Sequence, residues 1–431
     1  MTEQSDEAIA RLHERARQQL RSPSHRFRCW QFEKELRPFQ SDHPVMHSEA
    51  LVMALLAGRK RAGRMRRTMA KLLQLRSKRG EMAAFRAFEG FLAEHAPEDA
   101  LTGHNYDTVS FARQNHQEVW NHLSFLIKQL QPLSDGVFLN SGTLLGAVRE
   151  GRLLDHDDDA DLAFFLKSER PEDAAQEWRE LQLKLFEIGL ARIEDQIPGP
   201  GRIIKLVSCG SFEVDLFPAW KRNGKVFVYP HTFGKLTEAQ VLPLQTCAAT
   251  GLPLPAEPEA MLAVNYGAAW REPNPYFAFD WSRANRNFRR FLGALPEPKF
   301  KRVITYGTFD PMHYGHVRLL KRLSLLADEV IAACSTCAFN AGRGKQTALA
   351  FEHRVEMLEA CKYVSKVIPE ENWGQKAGDI RRLNADLLVM GSDWRGHFDD
   401  LKDLCTVLYL PRTEGISATA LKAGAWPGAA A

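Results

Sequence analysis

The chain has 431 residues, of which 45% are hydrophobic and 26% charged, and its formal net charge is +4. A chain of this length is too long to fold around a single hydrophobic core, so we expect two or three domains. The composition excludes collagen-like, repetitive and disordered proteins. No apolar run reaches the roughly 20 residues of a membrane-spanning helix, and the polar start MTEQSDEAIA is unlike a secretory signal, so the sequence predicts a cytoplasmic protein.

Residues 1–105 are predicted to form a helical region. They are rich in Ala, Leu, Arg, Glu and Gln and contain no strand-like run. Between Arg59 and Arg79 lie ten basic residues and no acidic one. This run is either the solvated face of a long helix or a contact for an anionic partner, such as a membrane surface or an anionic polymer. Nucleic acid is disfavoured, because no aromatic side chains are interleaved with the basic ones.

Residues 106–293 combine helix and strand patterns and are predicted to form an α+β domain. A helix is expected over 114–131, followed by strands over 136–140 and 160–166. The runs RIIKLVS and FEVDLF are predicted to be adjacent strands, joined by the turn CGS at 209–211.

A dense group of aspartates lies between two of these strands. Residues 139–161 read LNSGTLLGAVREGRLLDHDDDAD, and such a density of carboxylates is costly to fold unless cations neutralise it. Asp159 and Asp161 are two apart at a strand start, so both side chains point to one face and can chelate Mg²⁺. Asp215, on a later strand, is a candidate third ligand. The alternative is an exposed acidic turn, although the EF-hand calcium pattern is not met.

This segment resembles the LicD family, which includes phosphocholine and fukutin-type phosphoalcohol transferases. The resemblance covers about 125–285 and continues in VDLFPAW at 214–220 and NYGAAWREP at 265–273. It implies a two-metal nucleotidyltransferase fold that moves a phosphoalcohol from a CDP-activated donor to a sugar hydroxyl. His156 and Ala160 depart from the tryptophan and larger aliphatic residue usual in the family, but neither change removes a ligand. The implied roles are donor phosphate binding by Ser141 and Gly142, phosphate neutralisation by Arg149, metal binding by Asp159, Asp161 and Asp215, and steering of metal or acceptor by Asp157 and Asp158.

The C-terminal part begins after a predicted linker at 294–300, where ALPEPKFK has two prolines and mixed charge. From 301 to 425, the strand-like runs RVITYG, EVIAACST, KVIP, LLVMG and VLYLPR alternate with the helical runs HVRLLKRLSLLA, FEHRVEMLEAC and KAGDIRRLN. Alternation at these lengths predicts a Rossmann-like, doubly wound parallel sheet. The whole chain is therefore expected to be an α/β multidomain protein.

The motif GTFDPMHYGH at 307–316 connects the first of these strands to the first helix. In such sheets ligands bind at the carboxyl ends of strands, where the free N–H groups and dipole of a helix start favour phosphate. His313 and His316 can donate hydrogen bonds to phosphate oxygens as charge shifts in a transition state. The alternative is a helix start that uses its histidines only to satisfy its own hydrogen bonds.

From Lys301 to Lys422 the chain resembles the glycerol-3-phosphate cytidylyltransferases, which make CDP-glycerol for teichoic acids. The motifs that carry the resemblance are YGTFD at 306–310, FEHR at 351–354, VIPEENW at 367–373, MGSDWRGHFDDLKD at 390–403 and YLPRTEGIS at 409–417. It implies that CTP and glycerol 3-phosphate react to give CDP-glycerol, with Mg²⁺ accompanying CTP, and that the protein is a homodimer.

The second resemblance also implies roles for individual residues. Two positions depart from the family pattern: Ala418 lacks a hydroxyl that is usual there, and Arg343 stands where lysine is common. For Arg343 and Lys345 the alternative is a solvated loop, and for Arg354 it is an ordinary helix ion pair. The implied roles are transition-state stabilisation by His313 and His316, phosphate contact by Gly307, Thr308 and Phe309, binding of CTP and alcohol phosphate by Arg343, Lys345 and Arg354, framing of the cytidine pocket by Asp393 and Trp394, and CTP binding by Arg412, Thr413, Ser417 and Thr419.

Together the two resemblances imply a bifunctional enzyme of bacterial capsule or other cell-surface polysaccharide biosynthesis. The C-terminal domain would make CDP-glycerol, and the middle domain would transfer its glycerol phosphate to a glycan or lipid-linked glycan acceptor. Residues 59–79 would then contact the inner face of the membrane or an anionic polymer. Two alternatives stay open: an inactive, glycan-binding or scaffolding middle domain, or both activities with ribitol, ethanolamine or choline phosphate.

Overall fold

The computed structural model describes residues 3–59, 62–96, 109–196, 199, 201–274, 276–277 and 279–424. Its contacts divide the chain into two compact units. The first unit consists of Met1–Phe165, Ser208–Asp215 and Lys221–Phe288, and the second of Leu166–Val207, Leu216–Trp220 and Arg289–Ala431. Within the described ranges no helix is both long enough and apolar enough to cross a membrane. The three-part division at 105 and 294–300 stays a prediction.

Five helices form the N-terminal part of the first unit, which confirms the predicted helical region. Helix α3 packs against α1, α2 and α4 and is buried along most of its length, because apolar residues occur on all its sides. Its one acidic residue, Glu49, accepts hydrogen bonds from His13 (2.9 Å) and Arg76 (2.5 Å), so the buried carboxylate is paired from two other helices. The helices are α1 (Glu3–Arg21), α2 (Cys29–Leu36), α3 (Pro44–Ala57), α4 (Ala62–Lys78) and α5 (Met82–His95).

The middle segment is built on a six-stranded sheet in the order β1-β2-β4-β5-β6, with β3 paired to β4. Strands β1 and β2 are antiparallel, with Phe138 opposite Ala163. The predicted strands and the helix at 114–131 are confirmed within a few residues. The elements are α6 (His116–Leu130), β1 (Val137–Leu139), α7 (Ser141–Arg149), β2 (Asp159–Phe165), α8 (Pro171–Ile188), β3 (Ile204–Leu206), β4 (Glu213–Arg222), β5 (Lys225–Val228), β6 (Thr232–Thr237), β7 (Gln245–Thr246), β8 (Pro253–Leu254), α9 (Pro258–Tyr266), α10 (Trp281–Asn287) and α11 (Arg289–Ala294).

Tyr276 joins the N-terminal helices to the middle segment within the first unit. It lies in the apolar cluster formed by α1–α5, and its ring contacts Phe85 edge-on at 5.9 Å between centroids. Its hydroxyl donates a hydrogen bond to Glu89. The helical region and the segment that carries the aspartates therefore share a core.

The C-terminal part contains five parallel strands in the order β11-β10-β9-β12-β13, which confirms the predicted doubly wound sheet. The chain forms the central strand β9 first, then adds β10 and β11 on one side of it and β12 and β13 on the other. Because the direction of strand addition reverses at β9, a crevice opens at the carboxyl end of that strand. The elements are β9 (Phe300–Gly307), α12 (Tyr314–Leu326), β10 (Ala327–Ser335), α13 (Cys337–Gly342), α14 (Phe351–Glu359), β11 (Lys366–Glu370), α15 (Gln375–Leu383), β12 (Leu387–Gly391), β13 (Thr406–Leu410) and α16 (Ala418–Lys422).

Helix α8 belongs to the second unit and packs against β13 of the parallel sheet. The Glu187 side chain accepts a hydrogen bond from the Tyr409 backbone N–H (3.1 Å), and the Glu187 carbonyl accepts one from Arg395 (2.9 Å). Just after the helix, Glu194 pairs with Arg322 at 2.7 Å. A helix of the middle segment thus contributes to the body that carries the histidine motif.

Candidate functional sites

A cavity of about 530 Å³ opens at the carboxyl ends of the parallel strands. Five cationic side chains face it, against the acidic Asp310 and Glu370, so the cavity suits a polyanion. Twelve of the predicted site residues line it: Gly307, Thr308, Phe309, His313, His316, Arg343, Lys345, Trp394, Arg412, Thr413, Ser417 and Thr419.

The two histidines are fixed by the start of α12. His313 is the N-cap residue, and its Nδ1 accepts a hydrogen bond from the Gly315 backbone N–H at 3.1 Å. The Nδ1 of His316 accepts one from the His313 backbone N–H at 3.3 Å, and the two rings stack with centroids 3.9 Å apart. Because each Nδ1 is an acceptor, the proton of each neutral ring is on Nε2. Each imidazole can therefore donate Nε2–H to a ligand.

Both histidines are held in the neutral form. Burial and the charge of Arg412 lower the pKa of His313. Burial, His313 and Arg412 lower the pKa of His316 to about 3. Neutral imidazoles at a helix start can donate hydrogen bonds to phosphate. Because they carry no charge, burying them in the empty site avoids the cost of desolvating a charged group.

This pKa shift predicts a pH dependence of stability. The unfolded chain binds a proton at His316 near the ordinary pKa of about 6.5, whereas the folded chain does not until about pH 3. The free energy of unfolding should therefore fall as the pH decreases below about 6.5, by up to about 1.4 kcal/mol per pH unit for this proton. Denaturant titrations of wild type and His316→Gln between about pH 7 and 5 would measure it. The variant should lose less stability, and parallel losses in both proteins would contradict the assignment.

The basic loop between α13 and α14 is held over the cavity by aromatic and acidic contacts. The guanidinium of Arg343 lies 4.9 Å from the ring centroids of both Phe339 and Trp373. Burial, together with Arg343 and Arg412, lowers the pKa of Lys345. Such a crowded set of positive charges favours a bound polyphosphate, which would relieve their mutual repulsion.

Asp310 is a site residue that the sequence reasoning did not assign. Its buried carboxylate accepts hydrogen bonds from the backbone N–H groups of Ala348 (2.6 Å) and Leu349 (3.0 Å), and from Lys422 Nζ (2.6 Å). Burial raises the pKa of this carboxyl, but Lys422 and the two amides outweigh burial and hold it below its usual value. Asp310 therefore ties the basic loop and α16 to the histidine motif. The only sequence signal was its place in YGTFD, since Lys422 is 112 residues away.

Two of the predicted ligand contacts lie outside the cavity lining. Arg354 is completely buried, and its guanidinium donates to the carbonyls of Thr308 (2.8 Å), Ser335 (2.7 Å) and Leu349 (3.3 Å). In this structure Arg354 supports the strand ends through main-chain carbonyls, and its predicted contact with substrate phosphate stays a prediction. Asp393 forms an ion pair with Arg412 at 2.5 Å. It acts on the cavity through that arginine.

The aspartates converge in the first unit. One carboxylate oxygen from each of Asp159, Asp161 and Asp215 lies within 4.8 Å of the others, and Asp157, Asp158 and Asp159 form a second such group. Asp159 and Asp161 share a face of β2, and Asp215 comes from the neighbouring strand β4. Burial and the surrounding aspartates raise the pKa of Asp159. A cluster of hard oxygen ligands with this much repulsion fits a divalent cation such as Mg²⁺.

The first residues of α7 close over this cluster. The Gly142 backbone N–H donates to Asp161 Oδ2 at 3.0 Å, and Thr143 Oγ1 accepts from the Asp161 N–H at 2.8 Å. A β-carbon at Gly142 would collide with the carboxylate of Asp157. Ser141 has φ 43° in the left-handed region, and its Oγ lies 3.3 Å from Nδ1 of His231. Strained backbone of this kind clusters at functional sites.

Three further residues near the aspartates have contacts that bear on the site, and the predicted role of Arg149 stays a prediction. Arg149 pairs with Glu150 (2.8 Å) and donates to the Trp270 carbonyl (3.4 Å), so in this structure its guanidinium already has an anionic partner. Asp155 is exposed and paired with Arg152, outside the cluster. His231 was not singled out by the sequence reasoning. Burial lowers its pKa to about 4, so it meets Ser141 as a neutral ring.

Comparison with known proteins gives two separate matches. Residues 304–424 match the family model described as cytidylyltransferase-like, and residues 135–257 match the one described as LicD/FKTN/FKRP, nucleotidyltransferase domain. Both sequence-based resemblances are thereby confirmed. The two matches lie entirely C-terminal to helices α1–α5.

Among the relatives of known function, the glycerol-3-phosphate cytidylyltransferase of Bacillus subtilis is 54% identical over 122 residues, which is 28% of this chain and 95% of that protein. The enzyme of the same name from Staphylococcus aureus is 52% identical, again over 28% of this chain and 92% of its own length. The mouse ethanolamine-phosphate cytidylyltransferase is 26% identical over 29% of this chain and 32% of its own length. This chain therefore contains nearly the whole length of the two bacterial relatives.

Proposed function

This chain belongs, through its C-terminal domain, to the glycerol-3-phosphate cytidylyltransferase family, and we propose that the histidine cavity makes CDP-glycerol from CTP and glycerol 3-phosphate. The observation that carries the proposal is the stacked pair of neutral imidazoles at the start of α12, inside a cavity with five cationic side chains. The identity with the two bacterial enzymes supports glycerol 3-phosphate as the alcohol.

In this reaction the phosphate oxygen of glycerol 3-phosphate attacks the α-phosphorus of CTP. The bond between the α-phosphorus and its bridging oxygen breaks, and pyrophosphate leaves. His313 and His316 donate Nε2–H to the phosphate oxygens, while Arg343, Lys345 and Arg412 neutralise the charge that builds on the leaving group. Mg²⁺, bound with the triphosphate, would add further charge neutralisation. The enzyme then acts by positioning and electrostatics, without a covalent intermediate.

Product analysis tests this proposal. The full-length protein should convert CTP and glycerol 3-phosphate to CDP-glycerol and pyrophosphate in the presence of Mg²⁺. Ribitol, ethanolamine and choline phosphates, supplied separately, should react at least about tenfold more slowly, since the site would lose contacts worth about 1.4 kcal/mol or more. A faster reaction with one of these alcohols would overturn the assignment of glycerol.

Gly315 provides a second test of the cavity, because a β-carbon there would lie 2.9 Å from both the His313 ring and the Ile416 side chain. The His313 ring can relieve this contact only by moving out of its position. We expect Gly315→Ala to lower kcat for CDP-glycerol formation by about 100-fold, the cost of displacing a catalytic group by about 1 Å. Gly378→Ala, in open space within α15, is the matched control and should keep full activity. Equal rates in the two variants would show that the ring position is unimportant.

We further propose that the aspartate cluster transfers glycerol phosphate from CDP-glycerol to a glycan hydroxyl. The acceptor oxygen would attack the β-phosphorus of CDP-glycerol, and CMP would leave. Asp159, Asp161 and Asp215 would hold Mg²⁺, which supplies charge neutralisation at the diphosphate, and Ser141 and Gly142 would contact the donor phosphate. The convergence of three carboxylates within 4.8 Å supports this function over an inactive scaffold.

The two reactions fit one chain, since the product of the first is the donor of the second. Tethering keeps the donor at a high effective concentration near the second site. The biological setting that follows is synthesis of a phosphate-containing bacterial surface polysaccharide, such as a capsule or a teichoic-acid-like polymer. Release of CMP from CDP-glycerol that depends on added glycan would support the transfer step, whereas CDP-glycerol that accumulates with every acceptor would favour the scaffold.

A further inference from the structure

Part of the basic run of the N-terminal region lines a cavity. Helices α2, α3 and α4 and the turn after α2 enclose about 270 Å³, roughly half the volume of the histidine cavity. Arg37 comes from the turn, whereas Arg64, Arg67 and Lys71 come from α4. Positions 64, 67 and 71 share one face of a helix, so the sequence spacing aims three cations at one place.

The charges in this cavity are not balanced. Its lining contains four cationic side chains and one acidic side chain, Glu33, which pairs with Arg64. Within the described part of the chain, Arg37, Arg67 and Lys71 have no acidic partner. Burial and the charges of Lys71 and Arg64 lower the pKa of His47 at the cavity wall, so this ring adds a hydrogen-bonding group without a charge. Clustered cations of this kind favour an anionic ligand.

Two other residues of the basic run, Arg66 and Arg76, have different surroundings. Arg76 is committed to the fold, because it pairs with Glu49 (2.5 Å) and Glu81 (2.7 Å). Arg66 points to a different side of α4 from Arg64 and Arg67. Its guanidinium lies in the field of Asp157, Asp158 and Asp159, which oppose the lowering of the Arg66 pKa by burial. Helix α4 therefore lies between the cavity and the aspartate cluster.

The cavity and the aspartates therefore lie on different sides of the same helix. Arg64, Arg67 and Lys71 line the cavity, and Arg66 is directed to the side on which the aspartates act. An α-helix with its side chains is roughly 10–12 Å thick.

We propose that this cavity binds a phosphodiester already present in the acceptor, next to the site that adds the next glycerol phosphate. The proposal rests on the proposed transfer function, whose product carries such a phosphodiester. A concave, partly enclosed cavity suits an inserted phosphate group better than a flat membrane surface, and arginine side chains can bind phosphate with two parallel hydrogen bonds. The N-terminal helices would then select acceptors that have been modified before.

The test is equilibrium binding to the full-length protein in Mg²⁺-free buffer, which prevents transfer, with CDP-glycerol at saturation to occupy the catalytic sites. The probe is a short chain of glycerol units joined by phosphodiesters, and uncharged polyglycerol of the same length is the control probe. The double variant Arg67→Ala/Lys71→Ala removes two exposed side chains and should bind the phosphodiester chain about 10- to 100-fold more weakly. Arg79→Ala lies in the same basic run outside the cavity lining and should bind within about twofold of wild type.

Three results would overturn the proposal. The first is that the double variant binds like wild type, and the second is that Arg79→Ala loses as much affinity as the double variant, which would indicate diffuse attraction. The third is that the wild type ignores the phosphodiester chain and binds only vesicles that contain phosphatidylglycerol, which would identify a membrane contact. Binding as expected, with no release of CMP from CDP-glycerol after Mg²⁺ is added, would instead count against the transfer function and leave the cavity assignment in place. Circular dichroism and thermal unfolding of each variant confirm that it is folded.

Discussion

Replacement of His316 by alanine is expected to lower kcat for CDP-glycerol formation by about 100- to 1,000-fold, the usual cost of removing one donor that stabilises transition-state charge. The ring contributes in two ways: it offers Nε2–H to the cavity, and it stacks on His313 at 3.9 Å between centroids. KM for CTP should change by less than about tenfold, because an interaction made only in the transition state affects kcat. Steady-state rates of pyrophosphate release measure both quantities.

His353→Ala is the control for this variant. His353 is exposed on α14 and lies outside the cavity lining, so its loss should leave the rate within about twofold of wild type, as for ordinary surface substitutions. The wild-type pH profile adds an independent check. Since His316 of the free enzyme stays neutral to about pH 3, kcat/KM should show no acid limb caused by this residue in the ordinary histidine range near 6.5. Full activity of His316→Ala, or an acid limb that this variant abolishes, would contradict the proposed role.

Much of the C-terminal site could be predicted from the sequence because its residues are local. His313, Gly315 and His316 are within one turn of a helix start, and strand–helix alternation fixes where that start lies in a parallel sheet. The aspartates of β2 were predictable for the same reason, since a period of two places Asp159 and Asp161 on one face. Asp215 was a candidate from the sequence, but its position beside these two aspartates depends on the pairing of β4 with β2. The turn at 209–211 does not specify that pairing.

The contacts that the sequence did not reveal join residues that are far apart in the chain. Lys422 reaches Asp310 across 112 residues, and no local pattern marks either as a partner. Arg354 occurs in a helical motif that suits a surface ion pair, yet three carbonyls surround it in the core. Whether Arg354 is a surface ion-pair residue or a buried donor depends on its burial. Sequence periodicity indicates which face of a helix is buried, but it does not show how deeply a residue near the edge of that face is buried.

The basic run shows the same limit on a larger scale. Its composition indicated either a solvated face or an anionic contact, and the two could not be separated without tertiary structure. In the folded chain the run is divided, because Arg76 pairs with Glu49, Arg66 faces the aspartates, and Arg64, Arg67 and Lys71 line a cavity. Likewise, no sequence pattern indicated that α8 packs on β13.

Replacement of Asp159 by asparagine should lower the rate of glycerol phosphate transfer by about 1,000-fold or more, because it removes one of the three carboxylates available to Mg²⁺. Asparagine keeps the size of the side chain, so the fold should survive. CDP-glycerol formation by the same protein should continue at the wild-type rate, since it depends on the histidine cavity. Release of CMP in the presence of glycan, compared with release of pyrophosphate, separates the two activities in one sample.

Thermal stability distinguishes a metal ligand from a merely structural aspartate. The pKa of Asp159 is raised by burial and by Asp161, Asp157 and Asp215, so without Mg²⁺ its carboxylate is repelled by its neighbours. Asp159→Asn should therefore unfold at a higher temperature than wild type in metal-free buffer, and it should lose the further stabilisation that Mg²⁺ gives to wild type by binding the folded state. Asp155→Asn, which removes an exposed aspartate outside the cluster, should retain both transfer and the response to Mg²⁺. If Asp159→Asn still transfers glycerol phosphate, or responds to Mg²⁺ as wild type does, the cluster is not the metal site and the second half of the proposed function fails with it.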